Sequence, residues 1–135
     1  MTDKVSFELV SPARLLLSED VDMVVIPGAE GDFGVLPEHA PLVSSIRPGV
    51  IAVYDGNDVS QRIFVAGGFA EVTPEGCTVL AEEAVAVGDI DRAAAESDLG
   101  NLQDDLNDAK DEDEAGAIAR RIAVAEAKIA AAEAG

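Results

Sequence analysis

His39 is the one histidine of the chain, and it lies in Pro37-Glu38-His39-Ala40-Pro41. A single imidazole cannot share a metal with a second histidine or build a two-histidine proton relay. It could serve a Ser-His-Asp triad, with Ser44 or Ser45 close in sequence. No serine, however, has the flanking glycines of a strained nucleophile elbow. Gly28, Gly31 and Gly34 follow a strand-like apolar run, where a phosphate-cradling loop could begin. No helix-forming run opens after them and no Gly-Lys-Ser/Thr follows, so neither a dinucleotide fingerprint nor a phosphate loop is present. Carboxylate pairs abound, at Glu82-Glu83, at Asp104-Asp105 and through residues 111–114. In a chain with 27 acids they read as solvated faces. Cys77 stands alone, which excludes an intrachain disulfide and a multi-cysteine metal site and fits a reducing compartment. It reads as a small strand residue after the turn Thr73-Pro74-Glu75-Gly76. These residue types predict no catalytic set, no metal site and no cofactor. The chain is expected to work by binding, and not as an enzyme acting alone.

The elements that carry these residues divide the chain in two. Residues 1–88 read as short strands. Val5, Phe7 and Leu9 alternate with polar neighbours, the period of a half-buried strand that Pro12 ends. Apolar runs at 15–17 and 21–26 flank the polar Ser18-Glu19-Asp20, which predicts a break there. Residues 25–43 hold three glycines and three prolines among 19 residues, and predict a sculpted loop pinned by Ile26, Phe33, Val35, Leu36 and Leu42. Runs at 42–46, 50–54, 60–65, 69–72, 78–80 and 83–87 complete the series. Asp55-Gly56-Asn57-Asp58 predicts a hairpin turn, because these residues tolerate left-handed backbone. Many short strands with regular turn signals predict an all-β sandwich or barrel.

At Gly88 the period changes. Residues 89–135 lack proline and are dominated by alanine, the best helix former. Leu99, Leu102 and Leu106, extended by Ala95 and Ala109, share one helical face; Ile118, Ile122, Ala125 and Ile129 share another. The acidic run at 111–114 suits a helix N-terminus. The pattern predicts helices over 91–107 and 112–133, paired as an antiparallel hairpin along an alanine-rich seam. Gly100 and Gly116 each cost about 1 kcal/mol relative to alanine in a helix interior, so the hairpin is weakly held and the sandwich is the stable part. The expected fold is α+β, with a sandwich at 1–88 and a helical hairpin at 89–135.

Charge narrows the partners. Against the 27 acids stand 9 bases, a net of −18. Such a chain is repelled by nucleic acid and by anionic lipid. No segment offers the run of about 20 apolar residues that a membrane helix needs. Asp3, Glu8, Glu19 and Asp20, with only short apolar runs between them, do not form a signal peptide.

The residues from Pro27 to Pro48-Gly49 carry Gly-x-x-Gly-x-x-Gly-x-x-Pro-x-His-Ala-Pro-Leu in order. With Ile46-Arg47-Pro48-Gly49, Gly67-Gly68-Phe69-Ala70-Glu71-Val72, Thr78-Val79-Leu80-Ala81 and Ile90-Asp91, this pattern resembles the epsilon subunit of bacterial F-type ATP synthase over essentially the whole chain. The resemblance implies a non-catalytic central-stalk subunit, peripheral on the cytoplasmic face of a bacterial inner membrane. It implies that the sandwich binds the gamma subunit, rests on the polar loops of the c-ring and helps couple proton flow to ATP synthesis. Glu30, Asp32 and His39 occupy the positions implied to face the ring, whose loops carry arginine in that family. A structural hydrogen bond within the Pro37 to Pro41 loop is the other role open to His39. Some members bind ATP through Ile/Leu-Asp-x-x-Arg-Ala at the head of the hairpin. Ile90 and Asp91 match it, Ala94 stands where the arginine would be, and Arg120 and Arg121 remain as candidate phosphate partners. An extended hairpin is implied to reach the alpha and beta subunits of the catalytic head, which makes a nucleotide-sensing or inhibitory regulator the alternative reading.

Overall fold

A computed structural model describes residues 4–134; Asp3 lies outside them. Ten strands come first: β1 (Val5–Val10), β2 (Leu15–Val21), β3 (Met23–Gly28), β4 (Gly31–Val35), β5 (Leu42–Ile46), β6 (Gly49–Asp55), β7 (Asp58–Val65), β8 (Gly68–Val72), β9 (Gly76–Ala81) and β10 (Ala84–Ala86). A 3₁₀ turn at Val87–Asp89 leads into α1 (Arg92–Asn107) and α2 (Glu112–Ala134). The chain divides into two compact units, Met1–Ala86 and Val87–Gly135. An all-β sandwich followed by two helices is the fold expected from the residues.

The hydrogen-bonded strand order is β10-β7-β6-β3-β5-β8-β9-β1-β2, with β4 paired to β3. Every pairing is antiparallel except that of β1 with β9. The two halves of this path meet at one pair, Gly28↔Ile46, so they can fold over one another and bury their inner faces. Period-2 alternation supplies those faces. Val5, Phe7 and Leu9 of β1 join Val24 and Ile26 of β3, Ile51 and Val53 of β6, and Cys77 and Val79 of β9 in one core.

Two local expectations are corrected. The glycine- and proline-rich stretch is mostly paired strand: β3 and β4 form a hairpin in register Val24↔Val35 to Gly28↔Gly31, closed by the two-residue turn Ala29-Glu30. Gly31 takes φ 139°, a conformation that a side chain would oppose. Only residues 36–41 remain loop. The predicted break at residues 18–20 does not occur either. Those residues continue β2, pairing with β1 as Ser18↔Glu8, Glu19↔Phe7 and Asp20↔Ser6. Their polarity suits a strand at the end of the sheet path, where charge discourages further pairing. The chain instead turns at Asp22, whose N–H donates to the Tyr54 carbonyl (3.1 Å) and whose carboxylate receives Lys4 Nζ and the Gly56 N–H, each at 2.5 Å.

The second unit is a helical pair with a thin seam. Asp91 caps α1 by accepting from the Ala94 N–H at 3.0 Å, and Asp111 accepts from the Glu114 N–H at 2.8 Å. These carboxylates satisfy donors that the first turn leaves unpaired. Ala95, Ile118, Ala125 and Ala131 are buried, while Leu99, Leu102, Ile122 and Ile129 are only half-buried and Leu106 is 36% exposed. Among the described residues no helix is long and apolar enough to cross a membrane.

Candidate functional site

Two surfaces of the first unit stand out. One is the tip of the β3–β4 hairpin. Glu30 lies on its turn and Asp32 pairs with Pro27 just behind it, and both are exposed. Asp32 accepts from Arg47 Nη2 at 2.5 Å, and Arg47 Nη1 donates to the Gly28 carbonyl, also at 2.5 Å. Arg47 lies between β5 and β6, so the guanidinium spans from that corner to the hairpin tip. Its partnership with Asp32 crosses 15 residues; no local spacing pointed to it.

The structure does not bring His39 to this tip. Its loop is held near the β8–β9 turn by the Glu38 N–H donating to the Pro74 carbonyl at 3.2 Å. The strand β5 pairs with β8 from Leu42↔Val72 at that end to Ile46↔Gly68, and Ile46 is the residue that meets Gly28. His39 and Glu30 therefore sit toward opposite ends of β5, a separation on the order of 10 Å or more at about 3.3 Å per residue. Nδ1 of His39 donates to the Ala40 carbonyl at 2.6 Å, a bond inside the loop, while Glu38 before it takes φ 63°.

The second surface is apolar, and the sequence reading did not single it out. The register places Phe69 opposite Leu80, Leu80 opposite Val10 and Val10 opposite Leu15. These four residues form a row across β8, β9, β1 and β2 on the face away from the core. Phe69 is 57% exposed, Leu80 54% and Leu15 55%, and Val10 is half-buried. On the same face of the adjacent strand, Val43 is exposed as well. The signal was present in the strands: Gly-Cys-Thr-Val-Leu-Ala and Gly-Phe-Ala-Glu-Val carry apolar residues on both faces, which alternation with one wet face does not require.

The remaining expectations fall on the second unit. Asp91 is engaged as the α1 cap, and Ile90 is half-buried, its N–H donating to the Val87 carbonyl at 3.2 Å. Arg92, the basic residue nearest the nucleotide-like motif, pairs with Glu96 (3.0 Å) and with Glu133 of α2 (2.8 Å). Arg120 and Arg121 are exposed one helical step apart on α2. Among the described residues there is no group of three His, Cys, Asp or Glu that could hold a metal. Burial pushes the Cys77 thiol up to about 11, so it stays protonated and unreactive at neutral pH.

Comparison with known proteins places these surfaces in context. Residues 4–87 match the family model described as the ATP synthase delta/epsilon chain beta-sandwich domain. A protein of Paramagnetospirillum magneticum named ATP synthase epsilon chain is 53% identical over 131 residues, covering 97% of this chain and 98% of its own length. One of the same name from Maricaulis maris is 54% identical over 127 residues, covering 94% and 95%. Among solved structures, a chain of the mitochondrial ATP synthase of Euglena gracilis superposes with a TM-score of 0.83 at 23% identity, over 97% of this chain and 82% of that one. A chain of the Tetrahymena thermophila mitochondrial ATP synthase central stalk and c-ring gives 0.67 at 17% identity, over 97% and 99%. At such identities the structural likeness concerns the fold.

Proposed function

The chain belongs to the epsilon-chain family of ATP synthase, and from that premise we propose that it is a non-catalytic rotor subunit whose sandwich docks on gamma and meets the c-ring through the β3–β4 hairpin tip. In this role it helps couple proton flow to ATP synthesis, held peripherally by the complex on the cytoplasmic face of a bacterial inner membrane. The observation that carries the reading is the outward apolar row Phe69-Leu80-Val10-Leu15. Strands lie about 4.8 Å apart, so the row offers a continuous apolar stripe. Contiguous exposed apolar surface of this kind marks a protein interface. The hairpin tip supplies the complementary chemistry, with Glu30 and Asp32 facing cationic loops of the ring. An exposed carboxylate-arginine pair contributes about 0–1 kcal/mol, enough to orient a partner that the apolar row retains.

No observation favours the alternative reading, a nucleotide-sensing or inhibitory regulator acting through the helical hairpin. Asp91 of the candidate nucleotide motif caps α1, Ala94 stands where the motif's arginine would be, and the neighbouring Arg92 is paired with Glu96 and Glu133.

The test is calorimetric binding of the chain to gamma. Fully burying a large apolar side chain is worth about 1.5–3 kcal/mol, so Leu80→Glu is expected to weaken binding by at least about tenfold. Because Leu80 is 54% exposed, the unfolding midpoint should hold. Wild-type affinity in this variant would count against the docking face.

A further inference from the structure

Asp55-Gly56 is the one place in the sequence where an Asp or Asn is followed by glycine. It stands at the β6–β7 hairpin: Asp55 pairs with Asp58, and Gly56-Asn57 is the two-residue turn between them. Residues 55–58 are all exposed. Gly56 takes φ 66°, and a Cβ placed on it would meet nothing within 4 Å. Glycine puts no side chain in the way of its own nitrogen. The carboxyl carbon of a preceding aspartate can therefore reach that nitrogen and close a succinimide ring.

The bonding of the turn opposes this ring. The Gly56 N–H donates to Asp22 Oδ2 at 2.5 Å, and the Asp55 carboxyl lies within hydrogen-bond reach of Asp22 as well. Lys4 Nζ holds the other oxygen of Asp22 at 2.5 Å. The attacking nitrogen and the carboxyl it would attack are thus both drawn to Asp22 and not to each other. Cyclisation needs the peptide plane between Asp55 and Gly56 to swing, which breaks the Gly56–Asp22 bond and the closing pair Asp55↔Asp58. A carboxylate is far too weak a base to remove an amide proton, so Asp22 restrains the nitrogen and does not activate it.

We propose that Asp55 is a site of spontaneous isoaspartate formation, and that Asp22 restrains the reaction by holding the Gly56 N–H. When the turn opens, the Gly56 nitrogen attacks the side-chain carboxyl carbon of Asp55. A C–N bond forms and a C–O bond breaks; the oxygen leaves as water with the amide proton and one proton from solvent. A second water then opens the succinimide, returning one proton to the nitrogen and one to solvent. Cleavage on the side of the former main-chain carbonyl leaves the chain running through the side-chain carbon, with a free α-carboxylate. No oxidant or other co-reactant enters. The product lengthens the backbone of a two-residue turn and moves the Gly56 N–H off Asp22. The inference goes beyond the rotor reading and does not depend on it.

The experiment ages the full purified chain at neutral pH, well below its unfolding midpoint. An isoaspartate-specific methyltransferase with a labelled methyl donor counts the free α-carboxylates, and fragmentation of the peptide spanning Asp55 locates them. Wild type should accumulate isoaspartate at Asp55 slowly. Asp22→Ala removes the acceptor and should raise that rate about three- to tenfold, the scale of one charge-assisted hydrogen bond at an exposed site. Asp22→Asn, whose amide oxygen can still accept, should fall between them. Lys4→Ala loosens the same corner but keeps the acceptor for Gly56, and should stay within about twofold of wild type. Asp55→Glu, whose ring would be one atom larger, should give no product. The proposal is overturned if Asp22→Ala ages no faster than wild type, or if Lys4→Ala ages as fast as Asp22→Ala. Label that falls elsewhere and leaves Asp55 unmodified would overturn it equally.

Discussion

Asp22 accepts a hydrogen bond from Lys4, the main reason its carboxyl titrates below the ordinary 3.8, and a second from the Gly56 N–H. The same bond to Asp22 is the main reason Lys4 titrates above 10.5. A depressed carboxyl pKa contributes stability above its ordinary value, and that stability is lost as pH falls through the depressed one. The raised lysine pKa acts oppositely: its contribution is full below 10.5 and fades as pH rises beyond it. Asp22→Asn should therefore lower the thermal midpoint at pH 7, and the gap from wild type should close on acidifying below about pH 4. A gap that persists unchanged at pH 2 would show that the charge is not what matters. The pair was not legible in the sequence, because its members lie 18 residues apart and Gly56 a further 34 from Asp22. The Arg47–Asp32 partnership was hidden for the same reason. Cys77 was legible as a small strand residue after a turn, and it opens β9 as such; its burial, at 1% exposed, came only with the fold.

At the scale of elements, the helices were read to within a residue or two, since alanine content, apolar period and acidic N-terminal residues all agree. The hairpin β3–β4 was not. Glycine and proline signal loops, yet here Pro27 and the three glycines lie in paired strands; Gly31 supplies the positive φ beside the turn, and at Gly28 the Gly31 carbonyl and the Phe33 ring leave no room for a side chain. The two helices also bear on regulation. Residues 89–135 carry thirteen acids against five bases, a net of −8. Like charges about 4 Å apart cost roughly 1 kcal/mol in water and more in a partly desolvated groove, so we propose that this tail is opposed from entering any acidic groove of a partner. We expect residues 1–88 to fold and to bind gamma alone, and the complex rebuilt with them to hydrolyse ATP at the rate seen with the full chain. A several-fold rise at low salt on removing residues 89–135 would show that the hairpin inhibits despite its charge.

For the molecule as a whole, the sandwich combines a buried two-faced core, an apolar row on an outer face and a clasped acidic tip. The fold class followed from periodicity. The tip carboxylates followed from the resemblance, while the apolar row emerged only once strand register placed Phe69, Leu80, Val10 and Leu15 side by side. Such cross-strand neighbours belong to four different segments of sequence, and no window of residues contains them. The central claim is that this chain joins gamma to the proton-driven ring. Its most direct test is ATP-driven proton pumping by inverted membrane vesicles whose own subunit has been stripped. Adding back the purified chain should restore pumping in proportion to the amount bound, while Leu80→Glu at the same concentration should not. Vesicles that bind the chain yet pump no better than stripped ones would contradict the account.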